Sequence, residues 1–129
     1  MSAVKPAPEK GGRSEGMWGE ALAAEYLRQR GCRLAAHSYH CRFGEIDLIA
    51  WDGDVLCFVE VKTRRTGSLT PPEAAATQRK FRALSRAAAY YLQTTGWEGE
   101  VQFDLASAEA FPDGTVRVEL IENALEYNW

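Results

Sequence analysis

Two blocks decide how this chain folds: Gly44-Glu45-Ile46-Asp47-Leu48-Ile49-Ala50 and, past the turn signal Asp52-Gly53, Phe58-Val59-Glu60-Val61-Lys62. Both are rich in β-formers, and Asp-Gly between apolar runs marks a hairpin. Side chains alternate along a strand, so Glu60 and Lys62 share a face, as do Glu45 and Asp47, while Ile46, Leu48 and Ala50 take the other. With Asp52-Gly53 at the centre of the turn, Asp47 lies opposite Phe58 and diagonal to Glu60. With Gly53-Asp54 at the centre, Asp47 lies directly opposite Glu60. Either register puts Asp47, Glu60 and Lys62 on one face, with Asp47 and Glu60 starting ~5–8 Å apart.

Two carboxylates so close repel unless a cation sits between them. Mg²⁺ or Mn²⁺ suits the pair, because a hard cation commonly takes one or two carboxylates and fills its shell with water and phosphate oxygens. Asp47 and Glu60 are therefore candidate metal ligands, and the Val61 carbonyl is a candidate extra oxygen. Lys62 beside them can neutralise charge developing on a phosphate or orient a water. The competing reading is structural, with Lys62 bridging to Glu45 or Glu60 across an exposed sheet face.

Outward from this hairpin, Met17 to Arg30 carries a helical apolar face (Trp18, Ala21, Leu22, Leu27) and stops at Gly31. Cys32 to Ser38 reads as a short strand, Phe43 to Trp51 and Val55 to Thr63 as the two site strands. Gly67 to Pro72 is a loop in which Thr70 can cap a second helix, Glu73 to Gln93. Phe81, Leu84, Ala88, Tyr91 and Leu92 fall on one face of that helix, and Trp18, Phe81 and Tyr91 are expected in the core. Val101 to Ser107 and Thr115 to Ile121 complete the order α-β-β-β-α-β-β. That order predicts an α/β fold, a mixed sheet flanked by helices. Met1 to Glu15, with Pro6, Pro8, Gly11 and Gly12, is expected as a disordered arm, leaving residues 16–129 as one domain.

The net charge of −3 is unevenly spread: Lys62 to Arg86 carries +6, whereas Glu98 to Trp129 carries −7. A basic middle can contact phosphate even in an acidic protein. Its candidate contacts are Arg64, Arg65, Arg79 and Lys80. No apolar run approaches the ~18 residues of a membrane helix, and Met1 to Arg13 lacks a signal-peptide core, so the cytoplasm is the expected compartment. Cys32, Cys41 and Cys57 are not in a metal-binding spacing and are expected as reduced, mostly buried thiols.

From Gly16 to about Leu105 the chain resembles the bacterial YraN family of the PD-(D/E)XK nuclease superfamily. The resemblance is carried by Gly19-Glu20, Ala24, Tyr26-Leu27, Gly31, Cys41-Arg42-Phe43-Gly44 with the GEIDLIA block, the FVEVK block, Lys80, Tyr91-Leu92 and Phe103-Asp104. It implies a restriction-endonuclease-like core and a metal-dependent endonuclease acting on DNA, including branched DNA. In that superfamily the acid before the turn and the acid of ExK hold the metal and the lysine assists hydrolysis, which falls here on Asp47, Glu60 and Lys62. It also implies a site role for a helical acid, here Glu20. Glu45 is expected to hold an Arg or Lys, Asp104 to be structural, and His37 and His40 not to bind metal. The alternative function is a nucleic-acid-binding module with little catalysis. A third is a protein-interaction domain using the acidic tail. A homodimer is compatible with the first two. The chain departs from the family pattern at His37-Ser38-Tyr39-His40 and Gln102, where Arg, Asn, an aromatic and Arg, and then Arg, are usual. Fixed cations are thereby lost, but not the three core site residues.

Overall fold

The computed structural model describes residues 4–6, 14–65 and 74–124, and the side chains of 18–65 and 81–124 within them. The loop from Gly67 to Pro72, the Thr70 cap and the side chains of Arg79 and Lys80 lie outside the described residues. In chain order the elements are β1 (Val4–Pro6), α1 (Ser14–Gln29), β2 (Arg33–Cys41), β3 (Gly44–Asp52), β4 (Val55–Arg65), α2 (Ala74–Thr95), β5 (Val101–Ala110) and β6 (Thr115–Ile121). The architecture is α/β, and from α1 onward the order is the α-β-β-β-α-β-β read from the sequence. Val4–Pro6, inside the stretch expected as an arm, pairs antiparallel with β6 at the sheet edge. An edge is where a proline is tolerated, since its missing N–H leaves no central ladder bond unmade.

The sheet runs β1-β6-β5-β4-β3-β2. β4 and β5 are parallel; β2–β3, β3–β4 and β5–β6 are antiparallel. The parallel pair needs a crossover, and α2 supplies it. α1 lies on one face, packing Ala23, Ala24 and Leu27 against Leu48, Ala50, Cys57, Val59 and Ala106. Its Leu22 and Tyr26 reach Ala108, Ala110, Val116 and Val118 further along. α2 lies on the other face, packing Leu84, Ala87 and Ala88 against Ile46, Ile49, Leu56 and Phe58. Tyr91 meets Tyr39 and Phe58 edge-on at 5.2 and 5.9 Å, as expected for a core residue. Trp18 and Phe81 are half-buried at the margins of these clusters. The three cysteines are free; Cys57 is buried and the other two half-buried. No helix among the described residues is long and apolar enough to cross a membrane.

Alanines and one glycine let α1 approach closely. A Cβ on Gly19 would run into the Thr63 side chain on β4. The helix ends in a Schellman pair of bonds, Cys32 N–H to Leu27 O at 2.9 Å and Gly31 N–H to Arg28 O at 3.0 Å.

The hairpin register is settled by Asp52↔Val55 and Trp51↔Leu56, which centre the turn on Gly53-Asp54. Gly53 supplies the required positive φ, 62°. This is the register that places Asp47 across from Glu60. One expectation about faces is corrected. Ile46 does not share a face with Leu48 and Ala50, because it packs on the α2 side with Ile49. Regular alternation breaks at Asp47. The β3–β4 ladder ends at Leu48↔Val59. On the other flank Ser38, between the pairs His37↔Leu48 and Tyr39↔Ile46, has a left-handed φ of 55°. Asp47 thus sits just past the end of the β3–β4 ladder and beside a β2 residue of unusual backbone conformation.

Candidate functional site

The place where β3 and β4 part is where the site forms. Beyond Leu48↔Val59 the Val61 N–H no longer meets a β3 carbonyl; it donates to Asp47 Oδ2 at 2.8 Å. The carboxylate takes the place of a ladder acceptor and is fixed by it. Asp47 is half-buried. Burial pushes its carboxyl up from 3.8 to about 6, with the charges of Glu20 and Glu45 adding to the rise, while bonds from Val61 and Glu60 oppose it. Two carboxyl groups within hydrogen-bonding reach repel when both are ionised, and a cation between them relieves that repulsion. The pair expected from the sequence is therefore in contact.

Lys62 is the next residue on the Glu60 face. Val59 and Val61 pack toward α1, which leaves Glu60, Lys62 and Arg64 on the opposite side by strand alternation. Glu20 reaches the site from α1, near enough for its charge to act on Asp47. It is held from β2, where Ser38 Oγ donates to Glu20 Oε1 at 2.9 Å and His37 Nε2 lies 3.5 Å from the same oxygen. Sequence reading did not assign Ser38 or His37 to Glu20. The positive φ that aims Ser38 is a backbone property that composition does not reveal. The Val61 backbone is likewise engaged through its N–H, whereas the expectation concerned its carbonyl.

Other candidates fall elsewhere. Arg64 is exposed, with Nε 3.9 Å from Glu109 Oε2 on β5. Arg65 alternates to the α1 side, its guanidinium carbon 5.8 Å from the centre of the Trp18 ring. The two arginines thus do not form one patch. Among the described residues Glu45 is paired with a histidine and not with an Arg or Lys: its Oε2 lies 3.1 Å from His40 Nδ1, directly opposite it on β2. Asp104 is structural as expected. It is 2% exposed and accepts from Asn123 N–H at 3.0 Å and Gln102 Nε2 at 2.9 Å. Burial raises its pKa, against the lowering by the bonds from Asn123 and Gln102.

Among the described residues no group of three or more His, Cys, Asp and Glu side chains is placed to hold a metal ion. What the site offers is a two-carboxylate, all-oxygen donor set with a lysine beside it. That set fits Mg²⁺ or Mn²⁺, which complete their shells with water and substrate oxygens, and not a structural zinc, which needs four nitrogen or sulfur donors.

Comparison with known proteins covers this whole region. The profile of the uncharacterised protein family UPF0102 matches residues 19–108. A UPF0102 protein of Symbiobacterium thermophilum is 48% identical over 113 residues, 87% of this chain and 96% of its own length. One from Syntrophomonas wolfei is 42% identical over 113 residues, covering 87% and 97%. One from Geobacter sulfurreducens is 40% identical over 112 residues, covering 86% and 88%.

Proposed function

The chain belongs to the UPF0102 family, and from that premise and the geometry at Asp47 we propose that it is a Mg²⁺- or Mn²⁺-dependent endonuclease cutting DNA phosphodiesters. One observation carries the reading: at the fork between β3 and β4 Asp47 is half-buried, fixed by the Val61 N–H and set against Glu60, and its burial comes at the cost of raising its carboxyl to about 6. A solvated structural sheet face has no need of that cost.

Asp47 and Glu60 would hold the ion. When bound, a divalent cation polarises a phosphodiester oxygen and eases deprotonation of an attacking water. The protein's own groups do the rest. The Val61 N–H fixes one oxygen of Asp47, so the carboxylate is oriented before any ligand arrives. Glu20, restrained by Ser38, adds negative potential that favours cation over proton at the pair. Lys62 provides a fixed positive charge on the Glu60 face for the phosphate. Arg79 and Lys80, with Arg82 and Arg86 further along α2, supply phosphate contacts, so binding has a steep salt dependence. A cytoplasmic setting accompanies this reading.

The test is cleavage of duplex, single-stranded and branched DNA with Mn²⁺, beside Asp47→Ala. Cleavage lost in the variant supports the reading. DNA binding by the wild type without cleavage of any substrate assigns the chain instead to the binding modules that keep this fold.

A further inference from the structure

Resting on the reading of this chain as a DNA enzyme, we propose that Phe43, Tyr90 and Arg42 form a stacking platform for an unpaired base, and hence that the substrate carries a single-stranded stretch. Arg42 and Phe43 are the two turn residues between Cys41 and Gly44, which pair across the β2–β3 hairpin. Tight turns ordinarily carry Gly, Asn, Asp or Pro for backbone reasons. A phenylalanine at such a tip serves no turn geometry, and here it is 37% exposed. Tyr90 on α2 is also 37% exposed, and the two rings lie 5.6 Å apart at 55°. The Arg42 guanidinium carbon stands 4.8 Å over the centre of the Phe43 ring. The neighbouring Tyr91 turns inward and fills the core, so the helix presents one tyrosine to the sheet and one to the outside.

Charge identifies the occupant. α2 contains Arg79, Lys80, Arg82 and Arg86 and no acid over all its 22 residues, in a chain whose net charge is −3. Arg82, Arg86 and Tyr90 follow one another at intervals of four and so lie along one stripe of the helix. Arg82 and Arg86 are exposed. A cationic track that ends on paired aromatic rings is the arrangement by which single strands are held: phosphates along the charges, a base face on the rings. Paired bases within a duplex have no free face to offer, so the platform discriminates between the two forms. Gly44 brings the hairpin against α2, with Ala83 3.4 Å from where its Cβ would stand. Because β3 continues from Gly44 to Asp47, the turn that carries Arg42 and Phe43 leads directly into the strand that carries the first of the two carboxylates.

Binding is measured without chemistry, in Ca²⁺ or EDTA, with a labelled oligothymidylate of about 20 nucleotides, the length of one or a few binding sites, and with a duplex of matched length. Tyr90→Ala and Phe43→Ala are expected to weaken the single strand tenfold or more and the duplex less than twofold. Tyr90→Trp, which keeps a ring, should retain single-strand affinity and controls for folding. A 2-aminopurine base in the oligonucleotide should be quenched by the wild type and not by Tyr90→Ala. Equal losses on both DNAs, or no loss on either, overturn the platform. So does sedimentation showing that the free protein is a dimer which Tyr90→Ala splits, since the rings then cover each other across two copies. Failure of the nuclease reading is separately visible: ring-dependent binding of single strands with no Mn²⁺-dependent cleavage leaves the platform standing alone.

Discussion

Replacing Asp47 by Asn should stabilise the metal-free protein at neutral pH, the reverse of what removing a useful ion-pair partner does. The asparagine oxygen can still accept from Val61 N–H, so the backbone bond is kept and only ionisation is lost. The wild-type carboxyl is raised from 3.8 to about 6. The native state therefore holds a proton across that window that the unfolded chain has released, and stability falls as pH rises through it. The full shift corresponds to ~3 kcal/mol, at 1.36 kcal/mol per pH unit. Solvent screening at this half-buried position leaves ~1–2 kcal/mol to be measured. For a domain of this size that is a melting temperature about 4–8 °C higher for Asp47→Asn at pH 7.5. As pH falls to about 4 and below the unfolded value of 3.8 the ionisation contribution fades, and the difference should shrink by most of that amount. The assay is thermal unfolding by circular dichroism in EDTA at several pH values, both proteins side by side. Taking the difference cancels titrating groups that do not act on Asp47, including Asp104. A difference that does not change between pH 4 and 7.5, or a variant that is less stable at neutral pH by a constant amount, would refute the account of Asp47 as a strained, desolvated carboxyl.

Three further outcomes follow from the same coordinates. Mn²⁺ competes with protonation of Asp47, whose carboxyl is raised to about 6, so its affinity should rise with pH through that value; calorimetric titration at pH 5.5 and 7.5 reads this, and a Glu60→Gln variant should show no Mn²⁺-induced rise in melting temperature. Gly19→Ala should destabilise by ~1–2 kcal/mol despite better helix propensity, because the new Cβ meets Thr63. Thr63→Ala in the same chain should recover most of the loss, whereas a rise in melting temperature for Gly19→Ala alone would mean that α1 does not press on β4 there. Ser38→Asn should hold or raise the melting temperature by the equivalent of ~0.5 kcal/mol, since Asn tolerates the left-handed φ of 55° better than Ser. Ser38→Ala keeps the unfavourable backbone and loses the bond to Glu20, so it should fall by ~1 kcal/mol; a variant ranking of Ala above Asn contradicts this.

The sheet was legible in the sequence because its strands carry period-two patterns and its helices carry period-four stripes with clear stops. Asp47 and Glu60 could be placed together for the same reason: either tight-turn register puts them on one face. The choice between registers lay with a single turn residue, Gly53, whose φ the sequence does not state. The break in alternation at Ile46 was not legible, because it falls where the β3–β4 ladder ends, at Leu48↔Val59, beside the left-handed Ser38 of β2. The partners of Glu20 were hidden for a similar reason: His37 and Ser38 lie on β2, far from Glu20 in sequence, and only the bend at Ser38 brings them to it. Arg64 and Arg65 were both read as candidate phosphate contacts, and strand alternation sends them to opposite faces. The pairing of Glu45 with His40 follows from a direct cross-strand position that an exact hairpin register would have given.

The two sides of β4 close over very different lengths of chain. Its partner β3 is reached through a two-residue turn, whereas its partner β5 is reached only through the whole of α2. Loop closure favours the short connection, so the β3–β4 hairpin belongs to the contacts that form early. Asp47 and Glu60 are brought together in that same step, and their repulsion is met before the rest of the sheet is in place. A divalent cation should consequently act on the rate of folding as well as on the rate of unfolding. In stopped-flow refolding, Mn²⁺ would lift the folding limb of the chevron for the wild type and leave that limb unchanged for Glu60→Gln. An element built to hold a ligand would then also be the element whose assembly the ligand speeds.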